Sequence, residues 1–282
     1  MSLPLIGHRG RRTRDTHAVV TGAGSGIGRA FAVELAARGG RVVVSDISPG
    51  RAKETEVLIR NAGGKALAVE CDVTLIEGVE ALAATADDWF GQSPNLVINN
   101  AGVGAGGTPV GETPLEDWQW VLGVNLWGVV HGCHVFTPKL RELSAAGKSA
   151  GIINVASAAS FAAGPGMAAY NVSKAGVLAL SETLAAELAG TKVGVTVLCP
   201  TFVKTAITED GRISGRSVGL AETLMRWTGR SADSVARTTL DAHDRGQLYV
   251  LPQLDARAVW QAKRLSPTAY TRFAGLVNRV TS

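Results

Sequence analysis

The run His17-Ala18-Val19-Val20-Thr21 passes directly into Gly22-Ala23-Gly24-Ser25-Gly26-Ile27-Gly28, and the segment Ile27 to Arg38 that follows has helical periodicity. The first five residues, rich in valine, read as a strand. Glycines after it let the backbone turn sharply and come close to a ligand. The free N–H groups and positive end of the following helix favour negative charge, so strand, glycine loop and helix together make a cradle for a pyrophosphate. Asp46 stands 24 residues beyond Gly22, at the end of the next apolar run. A carboxylate there accepts hydrogen bonds from both hydroxyls of an adenosine ribose and repels a 2′-phosphate. With Ser45 and Ile47 flanking it and Ser25 in the loop, no cation replaces that carboxylate, and NAD is favoured over NADP.

Outward from this loop, short apolar runs alternate with longer helical patterns. His17 to Thr21, Arg41 to Ser45, Lys65 to Glu70, Leu96 to Asn99, Gly151 to Val155, Val193 to Leu198 and Gln247 to Leu251 are short enough to be strands. Ile27 to Arg38, Arg51 to Asn61, Leu75 to Phe90, Leu115 to Phe136 and Ala168 to Leu188 carry a period near 3.6. Strands that are apolar on both faces, separated by helices, predict an α/β fold: a doubly wound, Rossmann-like parallel sheet of about seven strands with helices on both faces. No Pro-, Gly- or Ser-rich linker divides residues 16 to 255, which are expected to form one domain for dinucleotide binding and catalysis. Within it, residues 204 to 229 are polar and Gly-dotted and are expected to form a substrate lid.

With 282 residues, 46% of them hydrophobic, 18% charged and 34 glycines, the chain has too much apolar material for disorder and no periodicity for a fibre. The net charge of +4 sits at the ends: residues 1 to 15 hold four arginines against Asp15, and residues 256 to 282 hold five cations against no acid. The body between them is therefore acidic, and the basic ends are expected to be a flexible N-terminal extension and a helical C-terminal one, with no nucleic-acid role. Cys71, Cys133 and Cys199 are widely spaced, with no Cys-x-x-Cys pair and no metal-ligating cluster. Free thiols, no metal and a reducing compartment follow. The charge-free stretches Trp118 to Pro138 and Ser149 to Ser173 are interrupted by polar residues, Gly and Pro, so no membrane span is expected. With no secretory signal at the N-terminus, a cytoplasmic location is the expectation.

Tyr170 and Lys174 stand four apart on a predicted helix and so project from one face. Ser157 lies just past the fifth strand, where open α/β sheets bind ligands. A phenol with a pKa of about 10 is a poor base at neutral pH, but an ammonium beside it stabilises phenolate. Taken jointly, Thr21-Gly22-x-x-x-Gly26-x-Gly28, Asp72-Val73, Asn99-Asn100-Ala101-Gly102, Asn125, Ser157, Tyr170 and Lys174 resemble the short-chain dehydrogenase/reductase family of the ordinary, non-extended type.

The resemblance implies an NAD-dependent oxidoreductase that interconverts a secondary alcohol and its ketone by hydride transfer. In that family pattern Tyr170 is the acid/base, Lys174 holds the nicotinamide ribose and lowers the tyrosine pKa, and Ser157 hydrogen-bonds the substrate oxygen. Asn125 keeps a helix distorted and anchors a water. The cofactor set it implies comprises Gly22, Ser25, Gly26, Ile27, Gly28, Asp46, Ile47, Asp72, Val73, Asn99, Ala101, Gly102, Tyr170, Lys174, Pro200, Val203 and Thr205. The family's usual Pro-Gly after the sixth strand is Pro200-Thr201 here, and because threonine does not reach positive φ as cheaply as glycine, a reshaped loop is expected. Phe161, Met167, Phe202, Leu220, Met225 and Trp227 are candidate walls for a hydrophobic small-molecule substrate. Trp118, Trp120 and Trp127 make one helix apolar nearly all round, which the family's homodimer or homotetramer contact would cover. Two other readings stand beside this one: an NADPH-dependent ketone or 3-oxoacyl reductase, and a dinucleotide-binding sensor without turnover.

Overall fold

The computed structural model describes residues 12–204, 212–213 and 230–281. Seven parallel strands form the central sheet: β1 (His17–Thr21), β2 (Arg41–Asp46), β3 (Lys65–Glu70), β4 (Leu96–Asn99), β5 (Ala150–Val155), β6 (Val193–Leu198) and β7 (Tyr249–Val250). Their order across the sheet is β3-β2-β1-β4-β5-β6-β7, so the direction of winding reverses at β1. Such a reversal opens a crevice beyond the carboxyl ends of the strands, and the glycine loop leaves β1 into it.

Alternation along the strands explains the two helical layers. Ala18 and Val20 of β1, with Val42 and Val44 of β2, pack against α1 (Gly26–Ala37), α2 (Pro49–Asn61) and α8 (Ala232–Asp244). Val19, Val43 and Val97 face the other way, onto α3 (Ile76–Phe90), α5 (Gly128–Ala145) and α7 (Ala168–Glu187). Side chains two residues apart share a face, and since both faces are covered neither can be polar. The doubly wound α/β sheet expected from the sequence is the fold observed.

Three segments differ from expectation. The Leu115 to Phe136 helix is two helices, α4 (Leu115–Leu122) and α5, joined by a π turn over Gly123–Trp127. α5 also continues through Pro138 to Ala145, held there by buried Leu140 and by the ion pair of Lys139 with Asp87 at 2.7 Å. The last strand shrinks to Tyr249–Val250, since Pro252 follows and has no N–H for a ladder. Thr13, placed by sequence in a free basic extension, is fully buried, and its N–H and hydroxyl both donate to Asp244, at 2.9 and 2.8 Å. Beyond β7 the chain forms two helices, α9 (Leu254–Leu265) and α10 (Pro267–Thr281). Among the described residues no helix is long and apolar enough to cross a membrane.

Candidate active site

A cavity of about 650 Å3 lies at the carboxyl ends of β1 to β6. Its dinucleotide half starts at the glycine loop. Gly22 and Gly26 have φ of +61° and +53°, values that side-chain-bearing residues rarely adopt. A Cβ on Gly24 would stand 2.7 Å from Asp46 Oδ2, and one on Gly28 would stand 2.1 Å from the Gly22 carbonyl oxygen. Ser25 caps α1 in an extended conformation, but its hydroxyl makes no capping bond. The start of α1 thus presents a hydroxyl and backbone N–H groups to the cavity with no acidic side chain in the first turn, which fits a diphosphate.

Asp46 closes this half. Its Oδ2 accepts from the Gly24 N–H at 2.9 Å and its Oδ1 from the Ser48 N–H at 3.0 Å, fixing the carboxylate at the cavity edge. Ile47, Cys71, Asp72 and Val73 continue the wall, and Asp72 is itself oriented by Thr74, whose N–H and hydroxyl donate to Oδ1 at 2.9 and 2.7 Å. Arg51 was not anticipated: its Nη2 lies 3.5 Å from Asp46 Oδ1, and it lines the same wall from the first turn of α2. Helical spacing from Ser48 could have revealed it.

The reactive half is built from the ends of β4, β5 and β6 and the start of α7. Ser157, Tyr170 and Lys174 all line the cavity, with Ala101 and Gly102 opposite and Pro200 and Val203 at the far side. Burial pushes the Tyr170 phenol above its ordinary pKa, and its hydrogen bond with Ser157 draws it back down. The Lys174 ammonium lies 5.9 Å from the centre of the Tyr170 ring and donates to the Val155 carbonyl at 3.0 Å. Burial lowers its pKa to about 8. The sequence-based expectation that Lys174 lowers the tyrosine pKa is therefore not what the static geometry displays: burial dominates, and the ammonium is held by a carbonyl.

Asn125 sits in the π turn, beneath Gly102. Its amide oxygen accepts from the Val103 N–H at 2.7 Å, and its amide nitrogen donates to the Val103 carbonyl at 2.9 Å and to Ser173 Oγ at 3.3 Å. With both ends of the amide engaged, the side chain orders the floor of the site rather than lining it. Gly28 and Asn99 also lie behind the wall. Asn99 points into the interior, donating to Asn154 Oδ1 at 2.8 Å, while its neighbour Asn100 lines the cavity and donates to the carbonyls of Thr21 and Gly22 at 2.8 and 3.1 Å. Asn99 thus ties β4 to β5, and Asn100, absent from the expected cofactor set, is the member of the pair on the wall.

Pro200-Thr201 keeps an ordinary backbone, since among described non-glycine residues only Asp15 and Ala163 have positive φ. The Thr201 N–H donates to Gln253 Oε1 at 3.3 Å and its hydroxyl to Asp255 Oδ1 at 3.1 Å, tying the loop to the start of α9. Of the expected substrate walls, Met167 and Phe202 line the cavity, whereas Phe161 packs beneath it on Trp260. Trp120 lines it as well. Thr205, Leu220, Met225, Trp227 and the expected lid after Lys204, apart from Arg212–Ile213, which pairs with Ala105–Gly106, lie outside the described residues.

Comparison with known proteins agrees with this architecture. The model of the short chain dehydrogenase family matches residues 16–213. The probable oxidoreductase EphD of Mycobacterium tuberculosis (strain ATCC 25618 / H37Rv) is 36% identical over 272 residues, which is 93% of this chain and 45% of that relative, so the chain spans less than half of it. The 1-deoxy-11-beta-hydroxypentalenate dehydrogenase of Streptomyces exfoliatus is 38% identical over 259 residues, covering 89% of this chain and 90% of the relative. A crystal structure of a short chain dehydrogenase/reductase from Burkholderia phymatum in complex with NAD superposes with a TM-score of 0.83 at 36% identity, over 90% of this chain and 94% of that one. The cradle at β1, the crevice at the strand reversal and the Ser157, Tyr170 and Lys174 cluster thus belong to a chain that is a member of the short-chain dehydrogenase/reductase family.

Proposed function

We propose that this oxidoreductase uses NAD to interconvert a hydrophobic secondary alcohol and its ketone, with Tyr170 as the acid/base. The observation that carries the reading is that Ser157, Tyr170 and Lys174 share one cavity with a glycine cradle and the Asp46 carboxylate. Gly22, Ser25, Gly26 and Ile27 would hold the diphosphate, Asp46 and Ile47 the adenosine ribose, Asp72 and Val73 the adenine. Ala101, Gly102, Lys174, Pro200 and Val203 would hold the nicotinamide end, with Gly28 and Asn99 acting from behind through packing. When bound, NAD supplies the carbon that takes up or returns the hydride.

Tyr170 takes the alcohol proton during oxidation and gives it back during reduction. Ser157, which shares the cavity with Tyr170, would orient the substrate oxygen against the phenol and favour the phenolate. Lys174, with a pKa of about 8, is mostly cationic at neutral pH, and from its place beside Tyr170 it would hold the nicotinamide ribose. Asn125 holds Val103 and the π turn in place beneath Gly102. A relative named as a dehydrogenase of a hydroxylated compound supports the oxidative direction.

One observation favours the alternative, NADPH-dependent reduction of a ketone or 3-oxoacyl group: Arg51 lies 3.5 Å from Asp46 and lines the same wall. Asp46, buried and braced by two backbone N–H groups, still places negative charge nearest the ribose site, so NAD is retained. The experiment is Tyr170→Phe assayed with cyclic, steroid and aliphatic secondary alcohols and either coenzyme. NAD affinity should stay within about threefold of wild type while turnover falls by at least ~100-fold, the usual scale for losing a positioned acid/base. A variant that keeps its turnover, or a wild type that binds NAD and oxidises no alcohol, overturns the reading, and the second result would favour a sensor.

A further inference from the structure

Between Ser157 and Tyr170 the chain makes a single helical turn, α6 (Ala159–Ala162), and then Ala163 at a φ of +52°. Alanine gains nothing from that conformation, so surrounding contacts must hold it. Ala159, Ala162 and Gly164 line the reactive half of the cavity, which makes the position of this turn a position of the substrate wall.

Three contacts fix it, two of them from the end of the chain. The Tyr270 hydroxyl on α10 donates to the Ala162 carbonyl at 3.0 Å, supplying a partner for an oxygen that a four-residue helix cannot bond internally. Trp260 on α9 meets the Phe161 ring edge-on, with centroids 4.8 Å apart and planes at 78°. Trp260 is itself held by Tyr249 on one side and by Arg264, 4.1 Å from its ring centre. The third contact is local: Asn171, next to Tyr170, donates to the Gly164 carbonyl at 2.7 Å. The turn is thus clamped between the reactive helix and a helix pair more than 90 residues further on.

We propose that α9 and α10 form a brace that sets the substrate wall, with Tyr270 and Trp260 as positioning residues for residues 159–164 and hence for substrate selectivity. The selectivity clause rests on the alcohol–ketone reading above, whereas the brace itself does not. Neither residue touches the glycine cradle or Asp46, so NAD binding is independent of them.

The test uses the full chain and two variants, Tyr270→Phe, which removes one oxygen and keeps the ring, and Trp260→Phe. Hydrogen exchange is followed at the amides of Phe161, Ala162 and Ala163, which donate to carbonyls within the turn. The expected result is exchange at these amides at least fivefold faster in Tyr270→Phe, with protection of β1 and β4 and the NAD dissociation constant unchanged. KM for a bulky alcohol should rise about three- to tenfold against a small one, with kcat within twofold. Trp260→Phe, which retains an aromatic ring, should fall between wild type and Tyr270→Phe in KM. Unchanged exchange at 161–163 overturns the brace, and faster exchange with an unaltered bulky-to-small preference overturns its role in selectivity. A wild type without alcohol or ketone turnover removes the functional reading and the selectivity clause together, and the exchange result still decides the brace.

Discussion

His243 shows how much one buried side chain can set. It is fully buried, and its Nδ1 lies 2.9 Å from Thr196 Oγ1. The threonine hydroxyl has one proton and donates it to the Gln247 carbonyl at 2.8 Å, so the imidazole must donate from Nδ1. Nε2 is then left with a lone pair and no partner, facing Gly151, where a Cβ would stand 2.1 Å away. Burial, with the charge of Arg12 adding to it, pushes the pKa down to about 3. In the unfolded chain the ring takes a proton near pH 6.5, while in the folded chain it stays neutral. The unfolded state therefore binds more protons between those values, and stability falls as pH drops through that window. Denaturant titrations at pH 7 and pH 4 should show the advantage of wild type over His243→Asn shrinking by a few kcal/mol on acidification. An equal gap at both values would mean that the ring is protonated in the fold.

At the scale of elements, the start of α1 is the most constrained. Gly28→Ala would drive a methyl against the Gly22 carbonyl and the Asn100 side-chain amide, at 2.1 and 2.4 Å, the first backbone and the second tied to the Thr21 and Gly22 carbonyls. The expected cost is about 1–3 kcal/mol of stability with a loss of NAD affinity of more than tenfold, measured by urea unfolding and calorimetry. This element, like most of the sheet, is legible in sequence, because runs such as Arg41 to Ser45 are buried on both faces and admit no other reading. What escapes sequence is what depends on direction and on distant partners. Asn99 and Asn100 are adjacent and alike, and only the strand's alternation decides that one bonds Asn154 inside while the other reaches the glycine loop. Asn125, within the π turn, bonds Val103, 22 residues away. Thr201 avoids strain by leaning on Gln253 and Asp255, and no local pattern announces such a contact.

For the whole molecule, α4, the π turn and α7 offer an incompletely covered side. Trp118 and Trp120 pack against Ala105, Val121 and Ala169, but Trp127 is 54% exposed, with Val172 of α7 and Leu115 of α4 also exposed. We propose that a subunit contact covers this side, where burying Trp127 would contribute substantially to it. Sedimentation should give a dimer or tetramer, with Trp127→Glu shifting it toward monomer, whereas a monomeric wild type would end this expectation. The reversal of strand order at β1 carries one more consequence. On the proposed reading, diphosphate and adenosine are held by the wing of β1, β2 and β3, and the substrate wall comes from the segment following β5, so the two duties can be inherited separately. On that reading, grafting the stretch around 159–167 from a relative, together with its supports near the C-terminus, would re-task the chain to a new alcohol while its appetite for dinucleotide stayed the same.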